Sequence, residues 1–422
     1  MRADPREHPA SADVLAPAGL GPVLLRNRII KSATFEHYSP HALVSDRLIN
    51  FHVAVGRGGA GMTTVAYLAV SPEGRTERDQ LYWRHEALPG LRRLTDAVHA
   101  TGAKVSAQIG HAGYVANPRS NGARSMGPSR RLNLQSLTID RAATAADVDR
   151  IVRTHARAAA WAVECGFDAV EVHLGHTYLL GSFLSRRFNR RRDEFGGSLA
   201  RRAELPRRTL AAVRQAVGTR AAVLAKLNMD DGIRRGITPE ESLPVATMLE
   251  SDGNLDALEL SGGSSLLNPM YLFRGDIPRR EFEAAQPPLL RLGVRIFGGL
   301  MFHDYPYHPL YFLDMARQFR AALTMPLVLL GGITDRAAMD TAMAEGFQFV
   351  AMARALLREP DLVNRIAGDA GRANADGPTG PNDPPGPATT VSQCIHCNRC
   401  MPTIYSGTHC PEIPVTTRPP TF

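Results

Sequence analysis

The sequence predicts an α/β fold, specifically a (β/α)₈ TIM barrel, and three observations carry that prediction. Eight short apolar, β-branched runs recur along the chain, helical stretches separate them, and no early glycine-rich dinucleotide turn follows the first run. A doubly wound open sheet shares the alternation, but its usual phosphate turn is missing, so the closed barrel is preferred.

The predicted strands are Arg28 to Ser32, Gly61 to Val65, Ala103 to Gln108, Asp168 to His173, Ala222 to Leu227, Asp256 to Leu260, Pro326 to Leu330 and Phe347 to Ala351. Helices are expected at Thr144 to Cys165, where Ala, Val and Ile recur at helical spacing behind Asp147 and Asp149, and at Ser198 to Val217. Two stretches break the plan. Gly262 to Pro309, between strands six and seven, is too long for an ordinary connection and is expected to shape the mouth where barrel enzymes work. Residues 368–390 are rich in Pro, Gly, Asn and Asp and read as a linker to a cysteine-bearing tail. The domain plan is a disordered N-terminus at 1–13, a barrel at 14–367, a linker at 368–390 and a Cys-rich tail at 391–422.

Composition narrows the function. The chain has 422 residues and a net charge of +8, from 49 Lys+Arg against 41 Asp+Glu, but the basic residues are interleaved with acidic ones. Nucleic acid is not the expected partner. Residues 1–12 lack the apolar core of a secretory signal, no run approaches a membrane span, and four of five cysteines fall in one short segment. A reducing cytoplasm is the expected compartment. Arg replaces Lys almost everywhere, leaving only Lys31, Lys104 and Lys226.

After the seventh predicted strand, PLVLL, comes Gly331-Gly332, and after the eighth, FVAMA, comes Arg354. Glycines that admit close backbone approach, together with an Arg at the neighbouring strand end, suit a phosphate in a barrel. A plain strand-to-helix turn and a surface ion pair are the bland alternative.

On the fourth strand, Glu171 and His173 share one face and Val170 and Val172 the other. His176 lies past the strand end, with Gly175 expected to supply the bend that brings the two imidazoles together. Such a pair donates hydrogen bonds to a carbonyl or phenolate oxygen, and the nearby Tyr178 can deliver a proton. Ordinary polar strand-end residues are the competing reading, while a metal site lacks an evident third ligand.

The segments LLRNRIIKSAT, GGAGMTTVAYLAVSPEGR, AQIGHAG and FDAVEVHLGHTYLLGSFLSRRFNRRRDEFGGS together resemble the Old Yellow Enzyme superfamily, in the branch of 2,4-dienoyl-CoA reductases and related NADH:flavin oxidoreductases. The resemblance covers roughly Leu15 to Arg365, and it implies FMN as cofactor and NAD(P)H as co-substrate. It makes His173 and His176 the pair that binds the substrate oxygen and Tyr178 the proton donor. It puts Gln108 at the flavin pyrimidine edge, Lys226 beside its N1 and O2, the backbone of Ala33 and Thr34 against the ring system, and Gly332, Ala353 and Arg354 at the phosphate. The implied activity is hydride transfer from NAD(P)H to an activated C=C bond of a small unsaturated substrate.

Cys394, Cys397, Cys400 and Cys410 have C-x₂-C-x₂-C spacing followed by a later Cys-Pro. A [4Fe–4S] cluster, structural zinc and free thiols all remain open, since the related reductases space their last cysteines more widely. Those reductases also carry a further flavin and dinucleotide domain, which is not expected here. Two other functions compete: a Schiff-base lyase using Lys226, and an electron-transfer component that exchanges electrons through the tail with an external redox partner. The chain is expected to act alone or as a homo-oligomer.

Overall fold

The computed structural model describes residues 12–133, 138–286, 302–373 and 390–413, with the single positions 291, 295 and 299 between them. Residues 1–11 of the expected disordered N-terminus, 374–389 of the expected linker and 414–422 of the tail lie outside the described residues.

Eight parallel strands close into a barrel in chain order. They are β1 Ile29–Lys31, β2 Met62–Ala69, β3 Lys104–Gly110, β4 Ala169–His173, β5 Ala222–Asp230, β6 Ala257–Gly262, β7 Leu327–Leu330 and β8 Phe349–Met352. The ring closes where β8 pairs with β1, Ala351 lying beside Ile30. One main outer helix follows each strand: α1 Asp46–Arg57, α2 Leu88–His99, α3 Ala145–Glu164, α4 Leu199–Val217, α5 Pro239–Ser251, α6 Leu313–Ala322, α7 Arg336–Ala344 and α8 Leu362–Ala373.

All eight expected strands and both expected helices form, with ends shifted by a few residues. The start of α3 follows from its first turn. The Thr144 side chain accepts from the Asp147 N–H at 3.2 Å while the Asp147 carboxylate accepts from the Thr144 N–H at 2.9 Å, a reciprocal cap that contributes about 1 kcal/mol. The linker begins later than its composition predicts, because α8 continues through 368–373.

Strand alternation sorts the side chains. Val170, Val172, Val223, Ala225, Leu258 and Leu260 point outward into the main core beneath the helices. Ile30, Met62, Ala169, Ala222, Leu224, Ala257, Val328, Phe349 and Ala351 point inward and fill the lower half of the barrel. An N-terminal hairpin, Ala18–Leu20 with Val23–Leu25, plugs that end with Ala18, Leu20, Val23 and Leu25. Its turn needs Gly21, whose φ is +54° and where a Cβ would lie 2.5 Å from the Asp256 carboxyl carbon. The hairpin was not expected from the sequence. Nor was a small three-stranded sheet between β3 and α3, formed by residues 126–127, 131–133 and 138–142.

Within the expected insertion, the described part holds two short helices, Pro269–Phe273 and Arg279–Ala284. Its first residues pack on the histidine turn, with Ser264 Oγ 2.5 Å from Thr177 Oγ1 and the Ser265 N–H donating to the His176 carbonyl at 3.2 Å. Among the described residues no helix is long and apolar enough to cross a membrane.

Candidate active site

One layer above the apolar filling, the same inward alternation turns polar. Parallel register sets Gln108 beside Glu171, and Lys226 between His173 and Glu259. Gln108 Nε2 donates to Glu171 Oε1 at 2.5 Å. The Lys226 ammonium lies 3.3 Å from Glu171, 3.1 Å from Glu259 and 3.1 Å from Ser32 Oγ, which itself donates to Glu259 at 2.8 Å. Lys226, Glu171 and Glu259 are all essentially buried.

Burial pulls the Lys226 ammonium down, but Glu171 and Glu259 together outweigh it and hold it above the usual lysine value. Burial pushes Glu171 up to about 8, with Lys226 opposing the shift and Glu259 reinforcing it. A lysine that stays charged with three polar neighbours has no free electron pair to attack a carbonyl. The Schiff-base reading of Lys226 therefore has no support in this geometry. Glu259 was not foreseen, although the alternation Ala257, Glu259, Ser261 along β6 carries its signal.

Above this layer the two histidines meet, with ring centroids 4.9 Å apart, and the Tyr178 ring lies 4.6 Å from His173. The bend that joins them differs from expectation. His176 and Thr177 themselves adopt positive φ, +53° and +65°, whereas Gly175 serves for its missing side chain, since a Cβ there would lie 2.5 Å from Asn228 Oδ1. That amide oxygen accepts the His176 N–H at 3.1 Å and anchors the turn.

His173 Nδ1 accepts from the Gly175 N–H at 3.3 Å, which leaves the ring proton on Nε2 as a donor for a ligand atom. His176 Nε2 meets Ser261 Oγ at 2.7 Å. Burial lowers both imidazoles, His176 to about 3 and His173 well below its usual value, so both are neutral at physiological pH. Neutral, each can donate one hydrogen bond without carrying charge. Burial also raises the Tyr178 phenol above its ordinary range, keeping it protonated.

The remaining expected residues form a half-exposed rim around these buried groups: Ala33, Thr34, Gly332, Ala353 and Arg354. Thr34 Oγ1 is already committed, accepting from the buried Lys31 at 2.8 Å and donating to Glu36 at 2.8 Å, which leaves only its backbone groups to serve a ligand. Gly331 and Gly332 have φ of +109° and +74°, and a Cβ on Gly331 would lie 2.7 Å from the Phe312 ring. Both glycines are required by backbone geometry. Among the described residues Arg354 pairs with no surface carboxylate, which was the alternative reading: it donates to the Arg274 carbonyl at 3.0 Å and makes a short bond to Asn398 Oδ1 in the tail.

These residues fit FMN. Gln108 keeps a second amide proton beyond the one it gives Glu171, and the Lys226 charge lies beside the buried Glu259 Oε2, which has no hydrogen-bond partner, so the layer offers a donor, a cation and an acceptor of the kind a pyrimidine edge uses. The glycine pair and Arg354 offer a phosphate end. For the four tail cysteines the match is partial. Cys400 lies within electrostatic reach of Cys394, Cys397 and Cys410, yet among the described residues no three His, Cys, Asp or Glu side chains converge as metal ligands.

The profile of the NADH:flavin oxidoreductase / NADH oxidase family matches residues 13–259. The chain is 54% identical over 399 residues to 4,4'-dithiodibutanoate disulfide reductase of Rhodococcus erythropolis, covering 94% of each protein. It is 29% identical to a metal reductase of Desulforamulus reducens over 83% of this chain, but spans only 48% of that protein. In fold it is similar to the old yellow enzyme homologue of Zymomonas mobilis, with a TM-score of 0.67 and 20% identity over 85% of this chain and 93% of that one. It is likewise similar to 2-naphthoyl-CoA reductase, with a TM-score of 0.73 and 23% identity over 85% of this chain and 52% of that one. The chain therefore belongs to the NADH:flavin oxidoreductase / NADH oxidase family, a flavin-dependent oxidoreductase built on the Old Yellow Enzyme barrel.

Proposed function

We propose that the protein reduces a small polarised acceptor, in first place an α,β-unsaturated carbonyl compound, at the expense of NAD(P)H. The observation that carries this reading is the approach of two neutral imidazoles and a protonated phenol at one half-exposed mouth. The chemistry that bound FMN would supply is hydride relay between NAD(P)H and the acceptor. Gln108 and Lys226 would hold its pyrimidine edge, and Lys226 supplies a positive charge that the buried Glu259 carboxylate and the Glu171 carboxyl keep in place. His173 and His176 donate to the acceptor's carbonyl oxygen as negative charge gathers there. Tyr178 delivers a proton to the α-carbon, and solvent restores it.

A second reading, an organic disulfide as acceptor, is favoured by the 54% identity to 4,4'-dithiodibutanoate disulfide reductase. The same residues serve it. Hydride and one proton convert the disulfide to two thiols, the paired imidazoles steady the departing thiolate, and Tyr178 protonates it. The four tail cysteines stay a proposed [4Fe–4S] ligand set, supported by their spacing alone, with no step assigned to them. Iron and sulfide analysis of anaerobically purified protein, read as about four of each per chain or as neither, decides that point.

The test of the main reading is an anaerobic titration of the FMN-loaded protein. NAD(P)H should bleach the flavin band, and an enone should restore it with formation of the saturated ketone. Restoration by 4,4'-dithiodibutanoate but by no enone would move the assignment to the second reading. No bleaching by either nicotinamide would overturn both.

A further inference from the structure

The tail carrying the cysteines lies across the barrel mouth and touches the loops after four strands. After β1, the Thr408 N–H donates to the Glu36 carbonyl at 2.9 Å, and Tyr38 makes a short bond to the Thr408 carbonyl. After β6, the Asp276 N–H donates to the His396 carbonyl at 3.1 Å. After β7, the Ser392 N–H donates to the Thr334 carbonyl at 2.8 Å, while Tyr307 of the β6–β7 insertion stacks on His396 with ring centroids 3.4 Å apart. After β8, Glu359 accepts from Ser392 Oγ at 2.6 Å and from the Gln393 N–H at 2.7 Å.

At the centre of these contacts is Asn398, which is 1% exposed and adopts φ +56° between two cysteines of the motif. Its amide nitrogen donates to the carbonyls of Asp276 at 3.0 Å and Arg274 at 3.3 Å, and its amide oxygen accepts from Arg354. Arg354 in turn donates to the same Arg274 carbonyl. One buried side chain thus joins the tail, the β6–β7 insertion and the guanidinium at the end of β8.

We propose that Asn398 is a positioning residue that sets Arg354 for the FMN phosphate, so that docking of the tail and retention of FMN are coupled. The inference rests on the reading of Arg354 as the phosphate grip. A neutral amide suits the role: it orients a guanidinium through one oxygen and leaves its positive charge for the phosphate, where a carboxylate would cancel it. The coupling is reciprocal, since whatever the docked tail adds to FMN affinity, FMN adds to the stability of tail docking. A ligand that orders the cysteine segment would tighten FMN by the same route, and loss of that segment would release it.

The experiment is a set of FMN and riboflavin affinities for wild type, Asn398→Ala, Asn398→Asp, Arg354→Ala and the double variant Asn398→Ala/Arg354→Ala, by fluorescence quenching. Asn398→Ala should weaken FMN about tenfold and riboflavin little, and Asn398→Asp should weaken FMN at least as much. On the Arg354→Ala background the further change Asn398→Ala should have no effect. Equal FMN affinity in wild type and Asn398→Ala, or an undiminished loss on the Arg354→Ala background, would overturn the coupling. An Arg354→Ala variant that binds FMN like wild type would instead defeat the reading of Arg354 itself. Amide hydrogen exchange of the unmutated protein supplies a readout that needs no variant. FMN should slow exchange at Ser392, Met401 and Thr408 while riboflavin leaves it unchanged, and equal exchange with both ligands would also overturn the proposal.

Discussion

Two layers of the barrel interior, one above the other on the same strands, differ completely in chemistry. The lower holds Ala169, Ala222, Leu224, Ala257, Val328 and Phe349, closed from beneath by the hairpin's Leu20 and Leu25. Two residues further along three of those strands the same inward direction holds Glu171, Lys226 and Glu259, with Gln108 on β3. Both layers are buried. The lower one stabilises by removing apolar surface from water, whereas the upper one costs desolvation that only mutual pairing offsets. A fold that needed only stability would fill both layers with Val and Leu. Retaining paired charges at the end where the histidines sit points to a ligand that uses them.

The largest effect that sharpens this contrast is expected from a misplaced charge. Ala257→Asp puts a carboxylate into the apolar layer with no partner, at a cost of several kcal/mol against a total stability of about 5–15 kcal/mol. Little or no soluble folded protein should result. Glu259→Gln, two residues away in the polar layer, should fold and keep its barrel circular dichroism. Equal tolerance of both changes would erase the distinction between the layers.

Next in size is Tyr178→Phe, which keeps the ring packed against His173 and Tyr67 but removes the phenolic proton. Turnover with a weakly activated enone should fall by about 10²–10⁴-fold. A nitroalkene, whose product anion is protonated by solvent, should be affected far less. A uniform loss across both acceptors would mean that the hydroxyl serves structure.

The smallest expected effect concerns pH. Glu171, raised by burial to about 8, contributes stability that is fully present below its unfolded value near 4.5 and is lost as pH rises through 8. Melting temperature should therefore decline from pH 5 to pH 8 in the wild type, and Glu171→Gln should remove that part of the decline, on the order of a few degrees. Parallel melting curves for the two proteins across this range would show that the carboxyl is not held protonated.

What the sequence reveals and conceals follows the same division. The eight strands and the turn bearing His173, His176 and Tyr178 were legible because alternation and a contiguous motif report on neighbours in the chain. The sequence also put Glu171 and His173 on one inward face, which the burial of both and the contacts to Gln108 and Lys226 bear out. Glu259 as a second carboxylate on Lys226 was not legible, because that pairing depends on the register between β5 and β6. Nor was the capture of Arg354 by Asn398, 44 residues away beyond α8 and the Pro- and Gly-rich stretch that follows it. Local signals predicted the elements, and the contacts between distant segments required the assembled barrel.

Stopped-flow measurement of both half-reactions in the FMN-loaded His173→Ala/His176→Ala variant tests the role of the histidine pair. Reduction of the flavin by NAD(P)H should proceed at the wild-type rate. Reoxidation by the acceptor should slow by at least about 10²-fold, the cost of losing donors aimed at developing negative charge. Reoxidation at the wild-type rate in a folded, FMN-loaded double variant would contradict the assignment of the mouth as the place where the acceptor is polarised.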